Sequence, residues 1–167
     1  MAETASEGFN QFLGWLTPSE SERAKATSHR ASIEAKLEQK FGLYKMFESG
    51  SFKHGTGVSS KSDVDLFASL KTSRPELANS TLTAVKSALQ ERFPNTYIHI
   101  SRPAVVLEFG GGYDRVEVIP AYAAENHDVG MRYKIPGVTT EWMDSTPKAH
   151  LDYVNGSNKA PVQGGAK

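Results

Sequence analysis

Phe9, Phe12, Leu13 and Leu16 recur at helical spacing, and Pro18 interrupts the pattern, which predicts a short amphipathic helix followed by a break. From Ser19 to Phe41 the chain is rich in Ala, Glu, Lys and Gln, with Ile33, Leu37 and Phe41 on one stripe. That stretch reads as a second, longer helix, with Gly42 where a C-terminal cap often falls. Leu43 to Glu48 carries two aromatics and reads as a strand. Ser49 to Ser62, crowded with Gly, Ser and Thr, reads as a loop.

In the following DVDLFASL, Val64, Leu66, Ala68 and Leu70 alternate with Asp63, Asp65, Phe67 and Ser69, the period of a strand. Ser73 offers a helix cap and Pro75 suits a first helical position. Leu82, Val85, Leu89 and Phe93 then line one face of a helix that ends before Pro94. Three strands are expected at Tyr97 to Ser101, Ala104 to Phe109 and Tyr113 to Ile119, the last two joined through Gly110, Gly111 and Gly112 as a hairpin. Periodicity is lost after Pro120, and 155–167 lacks an apolar face. The expected fold is α/β (α+β), a mixed sheet of about five strands flanked by helices.

The chain has 167 residues, room for one domain, and its 38% hydrophobic and 23% charged residues suit a globular fold. Lys plus Arg balances Asp plus Glu, 19 against 19, so no global field gathers duplex nucleic acid. With no cysteine, thiolate chemistry and Cys-based zinc sites are excluded, leaving oxygen and imidazole chemistry. No signal-like start and no apolar run of about 20 residues is present, so a cytoplasmic protein with no membrane partner is expected. Sequons at Asn79 and Asn155 are then chance matches.

Asp63 and Asp65, one residue apart on a strand, point to one side and can hold one cluster of cations, or simply face solvent. Gly50-Ser51 opens a Gly-rich turn whose backbone amides and hydroxyl suit phosphate, although Gly-Ser is also a common turn dipeptide. Glu117 is the one charge within VEVIPAY, either a further ligand or an exposed edge-strand acid. Three carboxylates beside a phosphate-cradling turn meet the needs of two-metal phosphoryl transfer, with Mg2+ as the natural oxygen-seeking ion and Mn2+ as its substitute.

GSFKHGTGVSSKSDVDLF, followed some fifty residues later by VEVIPAY, resembles the nucleotidyltransferase superfamily of DNA polymerase beta type: Gly-Ser, a spacer, Asp-x-Asp, and a third acid on a later strand. GTGVSSKSDVDLF together with WMDSTPKAH, Trp142 to His150, is similar to the bacterial cGAS/DncV-like nucleotidyltransferases, the SMODS domains that make cyclic oligonucleotide second messengers in CBASS-type anti-phage defence. The resemblance implies that Asp63, Asp65 and Glu117 are catalytic metal-binding acids, that Gly50, Ser51 and Lys53 join Asp63 and Asp65 in nucleotide binding, and that ATP or GTP is the substrate. It implies a polymerase beta-like catalytic lobe over 1–154, with 155–167 a flexible tail or the start of a C-terminal helical lobe. Glu117 departs from the Asp that many relatives carry there. Relatives also continue into a helical second lobe, so weak or absent cyclisation is expected of this chain unless that lobe or a partner completes the pocket.

Gly50-x4-Gly55 begins like a Walker loop, but Thr56 stands where lysine is required. The five histidines show no zinc-hydrolase spacing, though His54 and Lys53 sit in the phosphate loop. Tyr122, Tyr133 and Trp142 are candidates for stacking on a base or for core packing, and Lys148 for phosphate or solvent. Two rival functions remain: a minimal nucleotidyltransferase modifying protein or RNA, and a non-catalytic nucleotide-binding module.

Overall fold

A computed structural model describes residues 4–16, 19–49, 64–112, 114–127 and 130–147. Helices α1 (Ala5–Leu16) and α2 (Glu20–Phe41) lead into strands β1 (Leu43–Ser49) and β2 (Val64–Leu70). Helix α3 (Ala78–Arg92) follows, then β3 (Tyr97–Ser101), β4 (Ala104–Phe109), β5 (Asp114–His127), β6 (Gly130–Pro136) and β7 (Trp142–Ser145). The main path of the sheet is β1-β2-β5-β4-β3, and β6 pairs with β5 and β7. All pairings are antiparallel except β2 with β5, and α3, β3 and β4 make the crossover that parallel strands require.

The local signals explain most boundaries. Thr4 and Glu7 form a reciprocal cap on α1: the Thr4 amide donates to Glu7 Oε2 at 2.8 Å, and the Glu7 amide donates to Thr4 Oγ1 at 3.2 Å. Gly42 ends α2 with φ +67°, a conformation that costs a residue with a Cβ, and its amide donates to the Glu38 carbonyl. The three glycines at 110, 111 and 112 all take positive φ and turn β4 into β5, as a hairpin through them requires.

Alternate residues of the sheet build a helix-side core. Leu66 and Leu70 of β2, Leu107 of β4 and Val118 of β5 pack with Ile33 and Leu37 of α2 and with Leu82, Val85 and Leu89 of α3. His29 of α2 stacks on Phe109 with ring centroids 3.8 Å apart. Burial there holds its imidazole below the usual range, against the upward pull of Asp114. The opposite sheet face carries a smaller cluster of Phe67, Ala121, Tyr133 and Ile135. Phe9, Phe12 and Leu13 of α1 remain exposed.

Two expectations are corrected. Among the described residues the sheet has seven strands, because β5 does not stop at Pro120 but runs on to His127 and recruits β6 and β7. Pro120 lies between the last residue paired to β4, Val118, and the first paired to β6, Tyr122, where a missing N–H costs little on that side of the strand. The third helix begins at Ala78, so Ser73 is not its cap and Pro75 is not in its first turn. Its capping acceptor comes from far along the chain: the Ala78 amide donates to Glu141 Oε2 at 2.8 Å. Arg102 holds the same carboxylate at 3.5 Å, and the Trp142 indole donates to the Glu76 carbonyl at 2.9 Å.

Replacing Glu141 with Ala removes that acceptor and is expected to lower stability by about 1 kcal/mol, the usual worth of an N-terminal cap. A urea midpoint indistinguishable from wild type would show that water replaces the carboxylate without loss.

Candidate functional site

Because side chains alternate across a strand, the burial of Val64, Leu66 and Ala68 beneath the helices turns Asp65 to the other face. The same alternation on β5, with Val116 and Val118 in the helix-side core, turns Glu117 the same way. The parallel ladder then pairs Asp65 directly with Glu117. Strand spacing sets their Cα atoms about 4.8 Å apart, on a sheet face that neither α2 nor α3 covers. Both residues are half-buried.

On its other side Asp65 pairs with Ser49, the last residue of β1. Ser49 and Val64 are the described residues flanking 50–63, so both flanks of that segment adjoin Asp65. Gly50, Ser51, Lys53 and Asp63, together with His54, lie outside the described residues, as does Lys148. Among the described residues no group of three His, Asp or Glu stands close enough to hold a metal ion.

The sequence reading assigned nothing to Arg115, which shares the face of Glu117 two residues earlier and reaches its Oε1 at 2.7 Å. Its spacing from Glu117 was the available signal. Carboxylates directly opposite on neighbouring strands repel, and a cation beside them offsets the repulsion. Here a guanidinium does so. A pair of half-buried carboxylates in register is an all-oxygen donor set of the kind that suits Mg2+, which also keeps waters and substrate phosphates in its shell.

Of the candidate stacking aromatics, two belong to the packed core and the third, Trp142, is half-buried. Tyr122 and Tyr133 are buried, and the Tyr122 hydroxyl bonds Thr81 Oγ1 at 2.9 Å. Trp142 packs edge-on against Tyr122, with centroids 5.5 Å apart.

A mixed sheet with a parallel central pair, helices on one face and acids on the other is the polymerase beta-like nucleotidyltransferase fold. Residues 3–158 match the family of the Second Messenger Oligonucleotide or Dinucleotide Synthetase domain, SMODS, and the chain belongs to that family of nucleotidyltransferase domains.

Solved structures agree on the fold. CdnC of E. coli MS115-1 with ATP is 20% identical with a TM-score of 0.66, over 90% of this chain and 50% of that one. The cyclic dinucleotide synthase CdnE of Elizabethkingia meningoseptica, with GTP and Apcpp, is 20% identical with a TM-score of 0.66, over 90% and 58%. The di-nucleotide cyclase DncV of Vibrio cholerae, a D193N mutant with ATP, GTP and 5MTHFGLU2, is 11% identical with a TM-score of 0.72, over 87% and 60%. The chain thus spans half to three fifths of the length of these proteins. No curated protein sequence matches it. No helix among the described residues is long and apolar enough to cross a membrane.

Proposed function

We propose that 1–154 is the catalytic lobe of a metal-dependent nucleotidyltransferase that joins nucleoside triphosphates into a cyclic di- or oligonucleotide, a second messenger of CBASS-type anti-phage defence. The observation that carries the reading is the in-register pair of Asp65 and Glu117 on the helix-free face, in a chain of the SMODS family. Residues 155–167 are a tail or the start of a second lobe that closes the pocket, and the reaction belongs in the cytoplasm, where ATP and GTP are supplied.

Asp65 and Glu117 hold Mg2+, or Mn2+ in its place, together with Asp63. When bound, the ions activate a hydroxyl and neutralise departing pyrophosphate. Gly50, Ser51 and Lys53 hold the donor triphosphate beside the acids. A ribose hydroxyl oxygen bonds to the α-phosphorus, the bond from that phosphorus to the pyrophosphate oxygen breaks, and the hydroxyl proton passes to the Glu117 carboxylate. Arg115 keeps that carboxylate turned along the sheet face.

The test is to incubate this chain, and the same chain continued to the length of its relatives, with all four NTPs and Mg2+, and to identify products by mass spectrometry. Cyclic species from the longer chain, with pyrophosphate release, are expected, with little or none from 1–167. Label appearing only in protein or RNA would replace this reading with the modifying enzyme. Binding of NTPs by both chains without pyrophosphate would replace it with the non-catalytic module.

A further inference from the structure

A cleft of about 460 Å3 opens at the far end of the same two strands that carry the acids. Its floor includes Leu70, which ends β2, and Tyr122, five residues beyond Glu117 on β5. Five residues of strand correspond to roughly 16 Å. The cleft also differs in side, because Lys134 pairs with Tyr122 and Tyr122 belongs to the helix-side core, whereas Asp65 and Glu117 project from the other face.

Its lining is chemically one-sided. Lys71, Arg74 and Lys134 supply three cations, Thr72 and Ser73 supply two hydroxyls, and none of the described residues that line it is a carboxylate. In a chain with equal numbers of acids and bases this is a local concentration of positive charge. The carboxylates nearest the lysines lie outside the lining: Glu38 is 3.9 Å from Lys71, and Asp144 is 3.0 Å from Lys134. Both are about half exposed, and exposed pairs of this kind are worth only about 0–1 kcal/mol, so a phosphate can take the ammonium groups from them.

Tyr44 adds a flat wall. Tyr44 is two-thirds exposed and Lys71 Nζ stands over its ring, 5.9 Å from the centroid, so an aromatic face and a cation are offered together. The volume falls within the roughly 300–1,000 Å3 of small-ligand sites, room for phosphates and a ring together.

We infer that this cleft is a second anion site, remote from the acid pair, that binds an organic polyphosphate of nucleoside-triphosphate type, with its phosphates on Lys71, Arg74 and Lys134 and its ring on Tyr44. The site does not depend on nucleotidyl transfer by the acids.

The probe is ATP, titrated calorimetrically into the whole chain in EDTA at low salt, with pyrophosphate and adenosine as separate arms. Saturable ATP binding is expected, with pyrophosphate and adenosine each at least ten-fold weaker. The double substitution Arg74→Ala with Lys134→Met should weaken ATP at least ten-fold, while Arg92→Ala, at an exposed cation outside the cleft, leaves it unchanged. Lys71→Ala, at an exposed position, provides a second variant should the double one melt early. The inference is overturned by an absence of saturable binding, by loss of binding in Ser51→Ala with none in the cleft variants, or by pyrophosphate binding as tightly as ATP. Failure of product formation by the acid site leaves each of these outcomes readable.

Discussion

Asp65→Asn is expected to cut metal-dependent nucleotidyl transfer about a thousand-fold, the effect of losing roughly 4 kcal/mol of transition-state stabilisation, while the fold melts no earlier than wild type. The two halves of this expectation have one origin. Unit charges about 5 Å apart repel by roughly 3 kcal/mol at an effective dielectric near 20, and the partial exposure of both side chains reduces this further. Asp65 beside Glu117 is therefore a like-charge pair, offset in part by Arg115, that a divalent cation would convert into a binding site on the proposed reading. The Asn side chain keeps the shape and hydrogen-bonding capacity at position 65 while lowering that repulsion, and it would lose the cation. Activity is measured on the chain continued to its relatives' length, and Mn2+ binding by electron paramagnetic resonance reports the ion independently of turnover. Wild-type turnover in Asp65→Asn, or Mn2+ bound as tightly as by wild type, would show that this carboxylate is not a ligand. Glu117→Gln is expected to lose turnover and Mn2+ binding in the same way, and with them the ion pair to Arg115.

One residue along, the opposite result is expected. Leu66 is fully buried against α2 and α3, and Leu66→Ala should cost about 2–5 kcal/mol through lost burial and the cavity left behind. At roughly 2–4 °C per kcal/mol for a chain of this size, the melting temperature should fall by about 10 °C. Below the transition, Mn2+ binding should persist, since Leu66 and Asp65 lie on opposite faces of β2. A melting temperature within a degree of wild type would mean that the core closes around the missing side chain.

The contrast between these neighbours also explains what was legible in the chain. Alternation through DVDLFASL placed Leu66 on one face and Asp65 on the other because successive side chains of a strand point to opposite sides, although Phe67 and Ser69 beyond Asp65 are buried as well. The stripe of Ile33 and Leu37 revealed the packed face of α2 for the same kind of reason. The segment after Pro120 was not legible, although Met131, Tyr133 and Ile135 alternate with Arg132 and Lys134. Proline ordinarily ends a strand, and only the exchange of partners from β4 to β6 permits it here.

The start of α3 was misread because its capping oxygen belongs to Glu141, sixty-three residues away, and no local window contains it. Of the site, the convergence of Asp65 and Glu117 followed from two strand patterns plus a resemblance, but their parallel pairing is a tertiary fact. Arg115 was passed over because its importance lies in its reach to Glu117 rather than in any motif. Asp63, Gly50, Ser51 and Lys53 fall outside the described residues and stand as proposals.

Parallel pairing of β2 with β5 has a consequence for how the protein comes into being. Some fifty residues of chain separate the two acids, and they become neighbours only after that loop has closed through a helix and two further strands. A nascent chain that has left the ribosome no further than β4 carries Asp65 without its companion. On the proposed reading, ion capture by the pair would be tied to completion of the central sheet, and a half-made or partly melted chain would lack the means to grip the metal.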